Sequence, residues 1–195
     1  MTPVMVLPDE PLPVRFMNTI WADTSGVHDA LDSPEALRDW LAAAGVGADD
    51  ELDDPTEDEF TDSRMLRDAL RRLAAHNTGD TRASALPAID VDAAVAAVNA
   101  AVAGLPQIHL VVHDGRLECE QLVRGSAIRT GLAAIARESL DVVTGPTATR
   151  LRACYAPGCV LYFIKAHPRR EWCSDGCGNR VRAARHYQRT RAGRS

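Results

Sequence analysis

At 195 residues and 46% apolar content, the chain has room for one medium domain and a small appendage. No apolar run is long enough to span a bilayer, and no basic stretch precedes an apolar one at the start. A membrane span and a secretory leader are therefore not expected, and the expectation is a soluble, cytoplasmic protein. The net charge of −5 conceals an asymmetry: from Arg150 onward eleven Arg or Lys face two acids, giving +9, and the preceding 149 residues hold eleven basic and twenty-five acidic groups, giving −14. An acidic body with a basic tail is a pattern of nucleic-acid binding.

Residues 1 to 14 are punctuated by proline and read as extended. Arg15 to Trp21 is the first apolar segment, either a strand or a short helix. Within it Asn18 and Thr19 have two readings, a polar contact inside a ligand pocket of a sensor domain or a local helix cap or turn. Ser33-Pro34 opens a helix with an N-cap and a proline at the first position, and Leu37, Trp40 and Leu41 form its inward stripe. Residues 49 to 62 carry nine acidic side chains. They lack the alternating ligands and central glycine of a calcium loop, so they read as a solvated loop and the acidic first turn of the next helix. Met65, Leu66, Ala69, Leu70 and Leu73 then mark an amphipathic helix ending near Gly79. Asp90 caps another, with Val91, Val95, Val98 and Val102 along one side.

Ile108 to Val112 and Arg116 to Leu122 read as two strands joined by a tight Asp114-Gly115 turn. His109 and His113 share a face of the first strand, and with Cys119 they offer a second metal site. The plainer reading is the polar side of a hairpin. Gly125 to Val143 is a long helix with Ile128, Leu132, Ile135 and Leu140 inward, ended by Gly145-Pro146. No glycine-rich phosphate loop and no nucleophile elbow accompany these elements.

Cys154, Cys159, Cys173 and Cys177 follow, spaced C-x4-C-x13-C-x3-C. Two close pairs separated by a short insert suit a tetrahedral thiolate site for one structural Zn²⁺, with all four corners filled by protein. Disulfides and inert buried thiols are the competing readings, and neither accounts for the pairing. Val160 to Ile164 is β-rich and is expected to pair with Arg170-Glu171-Trp172 across the 166–168 turn. Cys173 and Cys177 are expected on the first turns of a final helix. Four thiolates on one Zn²⁺ contribute about −2, so the tail stays near +7.

The string Cys177-Gly178-Asn179-Arg180, with Leu151 to Cys154 before it and Arg170 to Cys173 between, resembles the CGNR zinc finger. Here the hairpin tip is shortened to Lys165–Arg170. Phe16-Met17-Asn18-Thr19 and Arg64 to Leu70 resemble the ABATE domain, the usual N-terminal partner of that finger in stress-induced transcription regulators. Together these imply an α+β chain: a mostly helical ABATE-like domain with a small hairpin over residues 1–145, and a treble-clef-like zinc finger over 146–195. The body is expected to fold alone. The implied function is DNA-binding transcriptional regulation, stress- or ligand-responsive and non-enzymatic. Arg180, Arg182, Arg185 and Arg189 are expected to touch duplex DNA from the last helix, with Arg169 and Arg170 on the flanking backbone. A homodimer or a second contact from the body would strengthen a single weak finger. Two other classes stay open, an adaptor whose basic helix binds protein or RNA, and an enzyme in the N-terminal domain tethered by the finger. The basic helix also has a purely structural alternative, docking on the acidic body of its own chain.

Overall fold

The computed structural model describes residues 6–46, 52–82, 87–122 and 125–192. A short helix α1 (Leu12–Met17) leads into a small hairpin of β1 (Ile20–Ala22) and β2 (Val27–Asp29). Helices α2 (Pro34–Ala43), α3 (Glu57–Thr78) and α4 (Val91–Val102) follow, then the hairpin β3 (Gln107–His113) and β4 (Arg116–Leu122) and the long helix α5 (Ala127–Val143). After a 3₁₀ turn at Ala148–Arg150 come β5 (Leu151–Ala153), β6 (Tyr162–Ile164) and α6 (Asp175–Ala192). The described strands form three separate antiparallel pairs, so the helices carry the main core.

Local chemistry sets the boundaries. Ser33 Oγ accepts from Ala36 N–H with Pro34 at the first position of α2. Thr56 and Glu59 form a reciprocal capping box, and Glu57, Asp58 and Glu59 fill the first turn of α3 beside the positive end of its dipole. The described part of the acidic segment thus has a structural use, and residues 49–51 lie outside the described residues. Burial opposes ionisation of Glu59, yet hydrogen bonds from Ser126 and Thr56 hold its carboxyl below the usual range. Gly79 ends α3 at φ 64°, the left-handed conformation that glycine adopts without penalty. Asp114 (φ 49°) and Gly115 (φ 77°) make the tight β3–β4 turn with the hand that suits a hairpin.

The α3, α4 and α5 helices pack together, with α1 and α2 closing the core. Leu37, Trp40, Leu41, Leu66, Leu70, Ile128 and Ile135 are buried, and Phe16 meets Trp40 at 5.3 Å between ring centroids. One expectation needs correcting. On α4 the buried line runs through Ala94 and Val98, and Val95 is 43% exposed.

The main core does not stop at residue 145. Leu151, Ala153, Tyr162 and Ile164 belong to it, so the finger's hairpin is seated in the body. Asn18, fully buried, donates from Nδ2 to the carbonyl of Tyr162 (2.8 Å) and accepts Tyr162 N–H at Oδ1 (3.0 Å). Thr19 Oγ1 donates to the carbonyl of Phe16 (2.8 Å), a local helix-end bond. These bonds correct the pocket reading of both residues: Asn18 joins body to finger, and Thr19 caps α1. Glu10 accepts Ile164 N–H (2.9 Å), and Tyr162 donates its hydroxyl to Asp80 (3.0 Å).

Two predictions follow from this seating. A fragment ending at Gly145 loses four core side chains and leaves Asn18, Arg71 and Asp80 without finger partners. It is expected to melt without the cooperativity of the whole chain, and calorimetry of both decides this. Asn18→Leu strands two buried backbone groups of Tyr162. It is expected to cost about 2–5 kcal/mol in urea denaturation, and a cost under about 1 kcal/mol would show that the pair contributes little.

Candidate metal centre and the basic helix

Four buried cysteines converge at the end of the chain. Cys154 follows β5, and Cys159 closes a knuckle in which Cys159 N–H donates to the carbonyl of Ala156 (2.9 Å). Cys173 precedes α6, and Cys177 sits in its first turn, where Ser174 Oγ accepts Cys177 N–H (3.3 Å). The four Sγ atoms lie within 4.8 Å of one another, and none of the residues is more than 5% exposed. The Sγ of Cys159 and Cys173 are 3.8 Å apart. A tetrahedron with Zn–S bonds of about 2.3 Å has S···S edges of about 3.8 Å, so the set fits the ion.

Packed this closely, the thiols cannot all ionise without a cation. The hydrogen bond to Cys154 and burial push the Cys159 thiol up, and the bonds to Cys154 and Cys159 drive Cys173 upward as well. A divalent ion replaces those protons. Zn²⁺ with four protein ligands has no open corner for water or substrate, so this is one structural zinc site.

The fold around it differs in one respect from expectation. β6 pairs with β5 (Leu151 with Ile164, Ala153 with Tyr162), not with residues 170–172. The tight Cys154–Cys159 knuckle turns the chain straight back and makes this the local pairing. Arg170 is likewise corrected from an outward contact to an internal brace. It donates to the carbonyls of Ile164 (2.9 Å) and Cys173 (2.8 Å), meets Glu10 at 2.7 Å and lies over the Phe163 ring.

The body reaches the knuckle from the other side. Arg82 Nη1 donates to the carbonyls of both Cys154 and Cys159 (2.6 Å each), held by Asp80. Arg71, almost fully buried, donates to the carbonyls of Met17 (2.8 Å) and Val160 (3.1 Å) and stacks on Tyr162. Val6, Leu7 and Trp21 pack on the cysteine cluster. Sequence reasoning missed Glu10, Arg71, Asp80 and Arg82. Arg71 alone carried a visible signal, a charge within the apolar period of α3; Glu10, Asp80 and Arg82 stand in polar, proline- or glycine-marked loops.

The remaining candidates fall as follows. Arg180 Nη2 donates to Cys177 Sγ (2.8 Å). Arg182 bonds Asn179, and Arg169, Arg182, Arg185 and Arg189 are exposed. A Cβ at Gly178 would approach both Trp172 and Arg182 side chains at 3.3 Å, a tight contact that a glycine avoids. His109 pairs across the hairpin with Glu120, but Cys119 pairs with Leu110, on the opposite face from the histidines. That geometry removes the second metal site. Ser25, His28 and Asp23 do meet in the β1–β2 turn, but one ring nitrogen, Nε2, faces both partners, so they form no relay.

Taken together, a helical body with a four-cysteine treble-clef-like module defines a zinc-finger protein. Residues 10–146 match the ABATE family, described as "Putative stress-induced transcription regulator", and residues 150–190 match the CGNR zinc finger. The chain belongs to the ABATE family and ends in a CGNR zinc finger. No curated protein matches it. Neither family description names an enzymatic activity, and no described helix is long and apolar enough to cross a membrane.

Metal analysis should give one zinc per chain. Cys173→Ser is expected to lose it, and because Arg82 and Tyr162 tie the finger to the body, chelation should lower the melting temperature of the whole chain. Acid should release zinc, since protons compete for the thiolates. A metal-free preparation with unchanged melting would overturn this.

Proposed function

We propose that this chain is a DNA-binding regulator of transcription whose zinc finger offers α6 to duplex DNA, while the helical body receives the stress or ligand signal. One observation carries the reading. Every residue of α6 from Arg185 to its end at Ala192 is exposed. Among the described residues Arg182, Arg185 and Arg189 form no ion pair with the acidic body. Docking on the body of the same chain therefore does not use up this charge.

Arg182, Arg185 and Arg189 recur at i, i+3 and i+7, so they form one stripe. Arg169 and Arg182 line a shared depression of about 450 Å³, which brings the tip of the finger and the helix to one side. Arginine's planar donors suit phosphates and guanine edges. With Arg170 braced inside and Arg180 turned to the thiolate, three or four arginines remain for phosphate. An effector of the body is best accommodated between α3, α4 and α5. There a groove of about 240 Å³ is lined by Leu66, Ala101, Leu132 and Ala133, with the Asp62–Arg129 pair among its lining residues.

Binding to random duplex DNA should fall with salt, with a log–log slope of about −3 to −4. Arg185→Ala with Arg189→Ala should weaken it and flatten the slope by up to about two units, with zinc content unchanged. A double variant that binds like the parent would place the DNA face elsewhere. A parent with no salt-dependent binding would leave the adaptor reading.

A further inference from the structure

We propose that the β3–β4 hairpin is a dimerisation arm whose apolar face packs against the same face of a second copy of this chain. Strand alternation puts Ile108, Leu110 and Val112 on one side of β3. The register pairs Leu110 with Cys119 and Val112 with Leu117, which extends that side across β4. Ile108, Leu110, Val112 and Leu117 are each 69–71% exposed, and neither these four nor Cys119 beside them carries a charge. The other side holds His109, His113, Arg116, Glu118 and Glu120, with Val111 and Leu122 as its apolar members. Hydrophobic on one face and charged on the other is the pattern of an antiparallel sheet that buries one face. A two-stranded hairpin is marginal alone, and among the described residues no layer covers the apolar side of this one.

The area and chemistry select the occupant. The face amounts to roughly 400–500 Å², within the range of the largest patch on a monomer, which is often functional. Two copies bury about 800–1,000 Å² between them, close to the size at which specific association begins and suited to a dimer that dissociates on dilution. A two-fold axis sets like against like, so apolar meets apolar and the charged sides of both arms stay in water. The charges of the opposite side and the −14 of residues 1–149 disfavour an acidic partner such as DNA at this place. A flat two-stranded face has no concavity for a small molecule. Helix α4, which leads into β3, adds to the surface. Its only polar side chains are Asp92 and Asn99, and Val95 is 43% exposed, although a helix this apolar is ordinarily covered on all sides.

Leu110 and Cys119 stand at mid-strand, so a two-fold through the face brings the two Cys119 thiols together across a sheet spacing of about 10 Å. The four other cysteines are the zinc ligands, which leaves Cys119 as the reporter. Sedimentation of the full-length zinc-loaded protein should show a species of twice 21.1 kDa that dissociates on dilution. A short bis-maleimide should trap it, and Cys119→Ser should abolish trapping while the dimer persists. Leu110→Glu with Leu117→Glu should give a monomer with unchanged zinc content. If that pair perturbs folding, Ile108→Thr with Val112→Thr keeps strand propensity and should weaken the dimer at least about tenfold. Added salt should strengthen the dimer by screening the acidic bodies, the opposite of its effect on DNA binding. A monomer at every concentration, or a dimer indifferent to both variant pairs, overturns the arm. The inference is independent of the regulator reading: a monomer that binds DNA sinks only the arm, and a dimer that ignores DNA sinks only the regulator.

Discussion

The outer edge of β6 is the constraint on which the architecture depends. Once Tyr162 and Ile164 enter the core, their outward backbone groups are cut off from water, and each unpaired group would cost about 1–3 kcal/mol. Among the described residues no third strand arrives to pair them. Asn18 does so instead, because a carboxamide carries one acceptor and one donor side by side, as a peptide does. Glu10 takes the next N–H at Ile164 and with its other oxygen holds Arg170. Two side chains from the first eighteen residues thus finish a sheet that begins at residue 151.

The same junction fixes the metal loop. The carbonyls of Cys154 and Cys159 point at Arg82, and the carbonyl of Val160 points at Arg71. Burial lowers the pKa of Arg71, so its charge is retained only against a desolvation cost. Two features offset that cost: two carbonyl acceptors and the Tyr162 ring face. Arg71 on α3 and Arg82 beyond its end thus tie the metal loop to the body by direct hydrogen bonds.

How much of this was legible in the sequence follows from the range of each interaction. The cysteine spacing was legible because metal ligation imposes residue type and local spacing together. The capping of α2 and α4 and the Asp114-Gly115 turn were legible because those signals act within four residues. Asn18 with Tyr162 spans 144 residues and Glu10 with Ile164 spans 154, so no local pattern could announce them. Arg170 lay among basic residues, and composition alone could not separate a brace from a surface charge. Val95 fits the helical period of an inward face as well as Ala94 does, and only the packing of α4 on α3 and α5 decides between them.

The charge of α6 has two separate explanations, and they divide its arginines. The helix begins at the thiolates, where its positive end stabilises the −2 of a zinc–cysteine cluster, and Arg180 adds a donor to Cys177. It ends with Arg189 and Arg191 in the last turn, where cations complement the negative end. Those terminal charges would be useful in a helix that bound nothing. Arg182 and Arg185 lie in the middle, where the dipole offers them little, and like charges at this spacing repel. The fold gains no ion pair from either among the described residues. Exposed and self-repelling charge of this kind is stabilised when an external anion arrives, so the mid-helix pair carries the electrostatic case for a phosphate-bearing partner.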